Sequence, residues 1–257
     1  MTTSRLAPAV LAAATSIILA GCATSAPAPS GDALSGTVTV FAAASLTDSF
    51  DEIATAFEAE HPDVTVVLNY GGSSGLATQI VEGAPVDVFA AASGTTMATV
   101  ADEGLIDDPT PFVTNTLEIA VPAGNPGDIT GLADFADPSL SIAVCAAEVP
   151  CGAAADSVFG AAGITPAVDT YEQDVKAVLT KVTLGEVDAG LVYRTDVLAA
   201  GATVEGIEFP EAVDAVSSYP IGVLLAAPNP AAAAAFVEFV LGPEGTSILT
   251  DDGFGAP

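Results

Sequence analysis

Residues 37–91 read TVTVFAAASLTDSFDEIATAFEAEHPDVTVVLNYGGSSGLATQIVEGAPVDVFAA, and two hydrophobic periods alternate along them. Short runs rich in β-branched residues are followed by segments whose apolar residues recur at helical spacing. The predicted strands are Thr37–Ala42, Val64–Leu68 and Val86–Ala91, and the predicted helices are Leu46–Glu60 and Leu76–Glu82. This strand–helix–strand–helix–strand order predicts a parallel, doubly wound sheet of the α/β class.

A second α/β series follows the first and leads into a helical C-terminal end. Its predicted strands are Leu117–Val121, Ser141–Val144, Ala189–Tyr193 and Tyr219–Ala226, and its predicted helices are Gly152–Ala162, Asp174–Leu184, Ala231–Leu241 and Glu244–Leu249. Breaks at Pro111–Thr116 and Val216–Pro220 are typical of two crossover segments. We therefore predict two lobes with a cleft between them: residues 34–114 with 219–257, and residues 115–218.

The composition excludes two broad classes of protein. The chain carries 33 acidic residues against 4 lysines and arginines, which gives a formal net charge of -29. Nucleic-acid binding is excluded, because four basic residues cannot cover a phosphate backbone. Because 51% of the residues are hydrophobic and only 14% are charged, an intrinsically disordered chain is excluded as well.

The N-terminus predicts the compartment. Arg5 precedes an apolar run, residues 6–20, that is too short to span a bilayer. The run ends in Leu-Ala-Gly-Cys22, which resembles the lipobox of bacterial lipoproteins, where this cysteine is lipidated. We predict a lipoprotein signal peptide at 1–22, a flexible tether at 23–33 and a folded protein held outside the cell membrane by its lipid. An ordinary secretory signal with an unrelated cysteine is the alternative.

Two further cysteines, Cys145 and Cys151, lie in the segment VCAAEVPCG. In an oxidising compartment, a pair that closes so short a loop is typical of a disulfide. A metal site is the alternative reading, but zinc would need more ligands than a chain with one histidine supplies. We predict a disulfide.

Neutral hydrogen-bond donors stand where predicted strands pass into helices. Ligands of open α/β sheets bind at such junctions, near helix N-termini. The residues are Ser45, Ser73, Ser74, Cys151, Val175 and Tyr193. Hydroxyls, a phenol and backbone N–H groups with almost no basic side chain suit a small oxyanion held by dipoles. Each residue alone also fits a structural role, such as an N-cap serine or a buried tyrosine.

The segment Gly71–Gly75 also fits the G-x-S-x-G pattern of a hydrolase nucleophile elbow, with Ser73 as the nucleophile. That chemistry needs a histidine base, which follows the serine in this class of hydrolase. The only histidine of the chain is His61, twelve residues before Ser73. A secreted serine hydrolase therefore stays a remote alternative, and we expect no enzyme.

Seven segments, taken together and in order, resemble the periplasmic molybdate-binding protein of bacterial ABC importers. They are FAAASLTD, YGGSSGLATQI, GAPVDVFAAA, EVPCG, QDVKAVL, VDAGLVYRTD and FVEFVLGPEG, and the resemblance extends from about Thr37 to Phe254. It implies the two-lobed, type II periplasmic-binding-protein fold, in which each lobe is a sheet flanked by helices and two crossover strands join the lobes.

The resemblance also implies a ligand and a set of donors. Ser45 and Ser73 would give hydroxyl and backbone donors, Cys151 and Val175 backbone N–H groups, and Tyr193 its phenol; Ser74 is a further candidate. The family often has alanine where this chain has Cys151. The implied function is capture of molybdate or tungstate, without a cofactor, by a monomer that delivers the ion to an ABC permease. Another tetrahedral oxyanion such as sulfate, and a purely structural surface lipoprotein, are the alternatives.

Overall fold

The structure is a computed structural model that describes residues 1–3 and 33–257. Apart from residues 1–3 and 33, the predicted signal peptide at 1–22, with Cys22, and the tether at 23–33 lie outside the described residues. Residues 33–257 form one unit.

The described elements alternate between strands and helices over most of this unit. The strands are β1 (Gly36–Ala43), β2 (Val64–Gly71), β3 (Val88–Ala90), β4 (Thr110–Asn115), β5 (Leu117–Pro122), β6 (Ile142–Cys145), β7 (Thr170–Glu172), β8 (Ala189–Tyr193), β9 (Val204–Ile207) and β10 (Ser217–Val223). The helices are α1 (Thr47–Glu60), α2 (Ser73–Val81), α3 (Gly94–Asp102), α4 (Pro150–Ala162), α5 (Val175–Thr183), α6 (Arg194–Ala200), α7 (Pro230–Leu241) and α8 (Pro243–Asp251). Short 3₁₀ turns cover 44–46, 132–136, 201–203 and 210–215.

The strands form two five-stranded sheets, with the orders β2-β1-β3-β10-β4 and β7-β6-β8-β5-β9. The α/β prediction is confirmed, and β2, β1 and β3 are parallel as predicted. The sheet also contains β10, which was not part of that parallel unit and runs antiparallel to both β3 and β4, so the complete sheet is mixed. The second sheet is mixed too, since β5 is antiparallel to β8 and β9. In both sheets a strand next to a crossover runs against its neighbours.

The chain crosses between the sheets at two adjacent places. Thr116 alone separates the end of β4 from the start of β5, and Ser217 at the start of β10 pairs with Asn115 at the end of β4. The two connecting segments therefore lie side by side, which is the arrangement expected of a hinge between two halves.

Alternation along β1 explains how the first sheet is covered on both faces. Val38, Val40 and Ala42 belong to one buried cluster and Phe41 to another, because successive side chains of a strand point to opposite faces. On the first face Phe50 and Phe57 of α1 pack edge-on against Phe236 of α7, with ring centroids 6.2 and 5.3 Å apart. Burying each such ring stabilises the fold by about 1.5–3 kcal/mol.

On the second face α2 and α3 cover the sheet, and α4, α5 and α6 pack on the strands of the second sheet. Among residues 33–257, no single helix is long and apolar enough to cross a membrane. The bent pair α7 and α8 meets the criterion only when its two helices are taken together, by length and composition.

Candidate functional site

One cavity lies where strand ends from both sheets meet helix starts. The five residues predicted from the sequence all line it: Ser45, Ser73, Cys151, Val175 and Tyr193. Ser45 lies in the 3₁₀ turn after β1, Ser73 begins α2, Cys151 lies in the first turn of α4, Val175 begins α5 and Tyr193 ends β8. Two of the residues come from the first sheet and three from the second, so the cavity is built by both halves.

The cavity is small, and its lining is neutral apart from one residue. It has room for a small ion and not for a sugar. Among the described residues that line it, none is basic and only Asp174 is acidic. The Asp174 carboxylate accepts a hydrogen bond from the N–H of Ala177 at 2.9 Å and thereby caps α5. The cavity therefore offers mainly hydroxyl and backbone donors.

Three helices begin at the cavity: α2, α4 and α5. The first N–H groups of a helix have no partner within that helix, and they carry its positive dipole end. Pro150 opens α4, where its missing N–H costs nothing. Gly152 follows because a Cβ there would lie 1.8 Å from the carbonyl oxygen of Ala146. The sequence Pro-Cys-Gly thus lets a helix start immediately beside the loop after β6.

A disulfide joins Cys145 at the end of β6 to Cys151 in the first turn of α4, so the predicted pairing is confirmed. The loop between them is also tied by hydrogen bonds from Ala146 N–H to the Glu172 carbonyl and from Val149 N–H to the Ala146 carbonyl. These bonds fix the start of α4 relative to β6 and β7.

Ser73 is buried, and its hydroxyl has one proton to give. Its Oγ accepts a hydrogen bond from the backbone N–H of Ala92 at 3.0 Å. Because that bond occupies an oxygen lone pair, the hydroxyl proton stays available for an acceptor in the cavity. The only histidine, His61, lies at the end of α1, where its ring packs at a tilt against Phe57, with 4.6 Å between ring centroids. It does not line the cavity, and so it cannot act as a base for Ser73.

Two pairs of hydroxyl groups lie beside the cavity, one within the first sheet and one between the two sheets. The Ser45 Oγ lies 2.8 Å from the Tyr219 Oη, and the Tyr193 Oη lies 3.2 Å from the Ser217 Oγ. The rings of Tyr193 and Tyr219 meet edge-on, 5.9 Å apart. Burial raises the pKa of Tyr193 to about 12, so its phenol keeps its proton at neutral pH and remains a donor.

Tyr219 is a residue of this site that the sequence did not single out. It lies in β10 at the return crossover and is fully buried, and burial raises its pKa as well. A buried tyrosine in a strand signals a hydrogen-bonded hydroxyl, but its partner Ser45 is distant in sequence. Only the fold brings the two together.

The structure places Ser74 elsewhere. It lines a neighbouring groove rather than the cavity, and its hydroxyl donates to the carbonyl oxygen of Glu148 from the second half. Gly72 also lies against that half, beside the carbonyl of Gln173 and the side chain of Val149. The two halves therefore touch across the cavity, and the cleft is closed.

Comparisons with known proteins agree on one family. The sequence profile described as bacterial extracellular solute-binding protein matches residues 38–255. The molybdate-binding protein ModA of Mycobacterium tuberculosis strain H37Rv is 42% identical over 243 residues, which are 93% of this chain and 93% of that protein. ModA of Escherichia coli K12 is 34% identical over 241 residues, 88% of this chain and 93% of that protein.

A solved structure shows the same fold. The periplasmic molybdate-binding protein of Azotobacter vinelandii superposes with a TM-score of 0.74, over 86% of this chain and 99% of that chain. The two sequences are 18% identical, so this likeness concerns the fold alone.

Proposed function

The chain belongs to the family of bacterial extracellular solute-binding proteins, and we propose that it captures molybdate, and tungstate equally, for an ABC importer. One observation carries the proposal: donors from five junctions of two sheets line a single small cavity in which no basic side chain is found among the described residues. The names of the two ModA relatives support molybdate as the ligand.

The chemistry of the cavity fits a fully deprotonated dianion. Hydroxyls, a phenol and the N–H groups at helix starts can all donate hydrogen bonds. Molybdate carries no proton, so it needs donors and no acceptor. Hydrogen bonds to a charged group contribute about 1.5–3 kcal/mol each. They gain strength when the closed cleft excludes water, because the local dielectric falls. The long-range field of a chain with a net charge of -29 opposes the anion, so the affinity comes from these local dipoles.

The same chemistry discriminates against phosphate at neutral pH. Monohydrogen phosphate carries a proton that needs an acceptor, and burying it without one leaves a polar group unpaired. Asp174 is the one carboxylate in the lining, and its Oδ1 is engaged as the cap of α5. Its Oδ2 makes no hydrogen bond among the described residues, so phosphate is the ligand that tests this discrimination most strictly. Sulfate has no proton and is the second candidate ligand. Sulfate is smaller than molybdate, so the hydrogen bonds from the donors of the cavity to its oxygens would be longer.

Calorimetric titration with molybdate, tungstate, sulfate and phosphate tests the proposed ligand. We expect tight binding of molybdate and tungstate with similar affinities, weaker binding of sulfate and no heat with phosphate. Preferential binding of phosphate, or of a sugar, would overturn the proposal. If the protein hydrolyses ester substrates and Ser73→Ala abolishes that activity, the serine-hydrolase alternative would be supported instead.

We further propose that the protein is a monomer anchored outside the cell membrane by lipid on Cys22, with an ABC permease as its partner. Support comes from the lipobox-like sequence that ends at Cys22. Labelled palmitate should be incorporated into the wild-type protein and not into Cys22→Ser. Equal labelling of both proteins would show that Cys22 does not carry the lipid.

Tyr219→Phe should weaken molybdate binding although Tyr219 does not line the cavity. Its hydroxyl holds Ser45 at 2.8 Å, and its loss frees that serine to turn away from the ion. We expect affinity to fall about 3- to 10-fold, the effect of one neutral hydrogen bond of about 1 kcal/mol. Tyr171→Phe is the matched control, because Tyr171 is 62% exposed. Equal calorimetric affinities for the two variants would refute the role of Tyr219.

A further inference from the structure

Lys176 lies between two carboxylates that come from different halves of the protein. Its Nζ is 2.7 Å from Asp48 Oδ2 and 3.5 Å from Asp196 Oδ1. Asp48 lies in the first turn of α1, which packs on β2 of the first sheet. Lys176 and Asp196 lie on α5 and α6, which pack on strands of the second sheet. The contact with Asp48 therefore crosses the cleft.

Each of the three charged residues lies within three residues of a donor of the cavity. Asp48 follows Ser45 by three residues, Lys176 follows Val175 directly, and Asp196 follows Tyr193 by three. The Asp196 Oδ2 accepts a hydrogen bond from the Tyr193 N–H at 3.0 Å. One ammonium group thus connects three of the five junctions that supply donors.

The two contacts of Lys176 differ in burial, and this gives each a different role. The Asp196 side chain is completely buried, and its Oδ1 makes no hydrogen bond among the described residues. A buried carboxylate needs a nearby cation, so Asp196 holds Lys176 in place. The Asp48 side chain is 57% exposed. Lys176 is therefore already positioned on the second half when Asp48 approaches.

Positive charge is scarce in this protein, and Lys176 keeps its charge. Burial lowers the pKa of Lys176, but the charges of Asp196 and Asp48 outweigh burial and raise it, so the ammonium form persists at neutral pH. The chain has four lysines and arginines in all. The second lysine of α5, Lys181, contacts Glu172 and Glu186, which both belong to the second half.

We infer that Lys176 is a positioning residue that latches the closed cleft: its bridge to Asp48 forms when the halves meet, stabilises the closed state and slows release of the bound anion. The inference rests on the proposed function, since it names the residue that retains the ion at the same site. Lys176 acts on the ion through closure, because it does not line the cavity.

Asp48→Asn separates a latch from simple electrostatics by the sign of its effect. Removing a negative charge beside an anion site should tighten anion binding if only the field matters. Losing the latch should weaken binding, by about 3- to 10-fold, through faster dissociation. Stopped-flow measurement of molybdate association and dissociation rates decides between these signs. Affinity equal to or tighter than wild type, with no faster release, would overturn the latch.

Lys176→Met and Lys181→Met form a matched pair on one helix, with the same loss of charge. We expect Lys176→Met to release molybdate at least about 10-fold faster and Lys181→Met to stay within about twofold of wild type. Lys176→Arg should restore slow release, because arginine can reach both carboxylates. If the two methionine variants had equal effects, Lys176 would act only through its positive charge and not through its bridge to Asp48, which would contradict the latch.

Different results would overturn the proposed function and the latch. If the wild-type protein binds no molybdate, the proposed function falls and the latch with it. If the wild type binds molybdate and Asp48→Asn releases it no faster, the latch alone falls. Asp48 is exposed, so this variant decides the question even if Lys176→Met leaves Asp196 uncompensated and fails to fold.

Discussion

Gly72→Ala should reduce molybdate affinity by about 100-fold or more while the unliganded protein stays folded. A Cβ at this position would lie 2.2 Å from the carbonyl oxygen of Gln173 and 3.3 Å from Val149, both on the opposite half. The backbone of Gly72, with φ -59° and ψ 125°, suits any residue. The glycine is therefore required by close approach across the cleft, and its replacement obstructs closure and not folding.

The size of that effect depends on how many hydrogen bonds to the ion are lost when the cleft cannot close. Losing one charge-assisted hydrogen bond of about 1.5–3 kcal/mol weakens affinity about 10- to 100-fold, and incomplete closure affects several. Gly75→Ala is the matched control, since a Cβ at Gly75 has no neighbour within 4 Å. Calorimetry should give Gly75→Ala the wild-type affinity, with thermal unfolding of the apo proteins as the check on folding. Tight binding by Gly72→Ala would show that the halves do not close in this way.

Removing the hydroxyls of the cavity is the second large effect. Ser45→Ala, Ser73→Ala and Tyr193→Phe should each weaken molybdate binding by about 10- to 100-fold, because each loses one donor to a charged ligand. Ser73→Ala should also lower the free energy of unfolding by about 1–3 kcal/mol, since the buried N–H of Ala92 then loses its acceptor.

Calorimetry for affinity and urea unfolding for stability separate these two consequences. Ser218→Ala is the control, because Ser218 is an exposed serine of the neighbouring β10. Unchanged molybdate affinity in all three cavity variants would refute the proposed site.

The sequence predicted most of the first sheet because its signals are local. Alternation in Thr37–Ala42 and the helical spacing of Phe50, Ile53 and Phe57 depend on near neighbours only. The β7, β9 and α6 elements were not predicted, because they are short and each contains a charged residue, whereas the equally short β3 and β6 are continuous apolar runs. Windows this short carry no periodicity. The antiparallel direction of β10 could not be predicted either, because it depends on where the chain returns from the second half.

The donor positions of the site could be predicted from the sequence, whereas the contacts that arrange them could not. The donor positions follow from strand-to-helix junctions and from the resemblance of the motifs, and both are readable in sequence. The bond between Ser45 and Tyr219, the approach of Gln173 to Gly72 and the bridge from Lys176 to Asp48 are contacts between distant segments. Ser74 shows the converse, because a hydroxyl one residue from Ser73 is turned out of the cavity by the helical geometry of α2.

A crystal structure of the protein grown with molybdate is the measurement that most directly examines whether uncharged donors alone hold the ion. We predict a tetrahedral ion in the cavity between the halves, with each short contact made by a hydroxyl, phenol or backbone N–H of Ser45, Ser73, Cys151, Val175 and Tyr193. An ion bound at another place, or one contacted directly by a lysine or arginine side chain, would contradict the account.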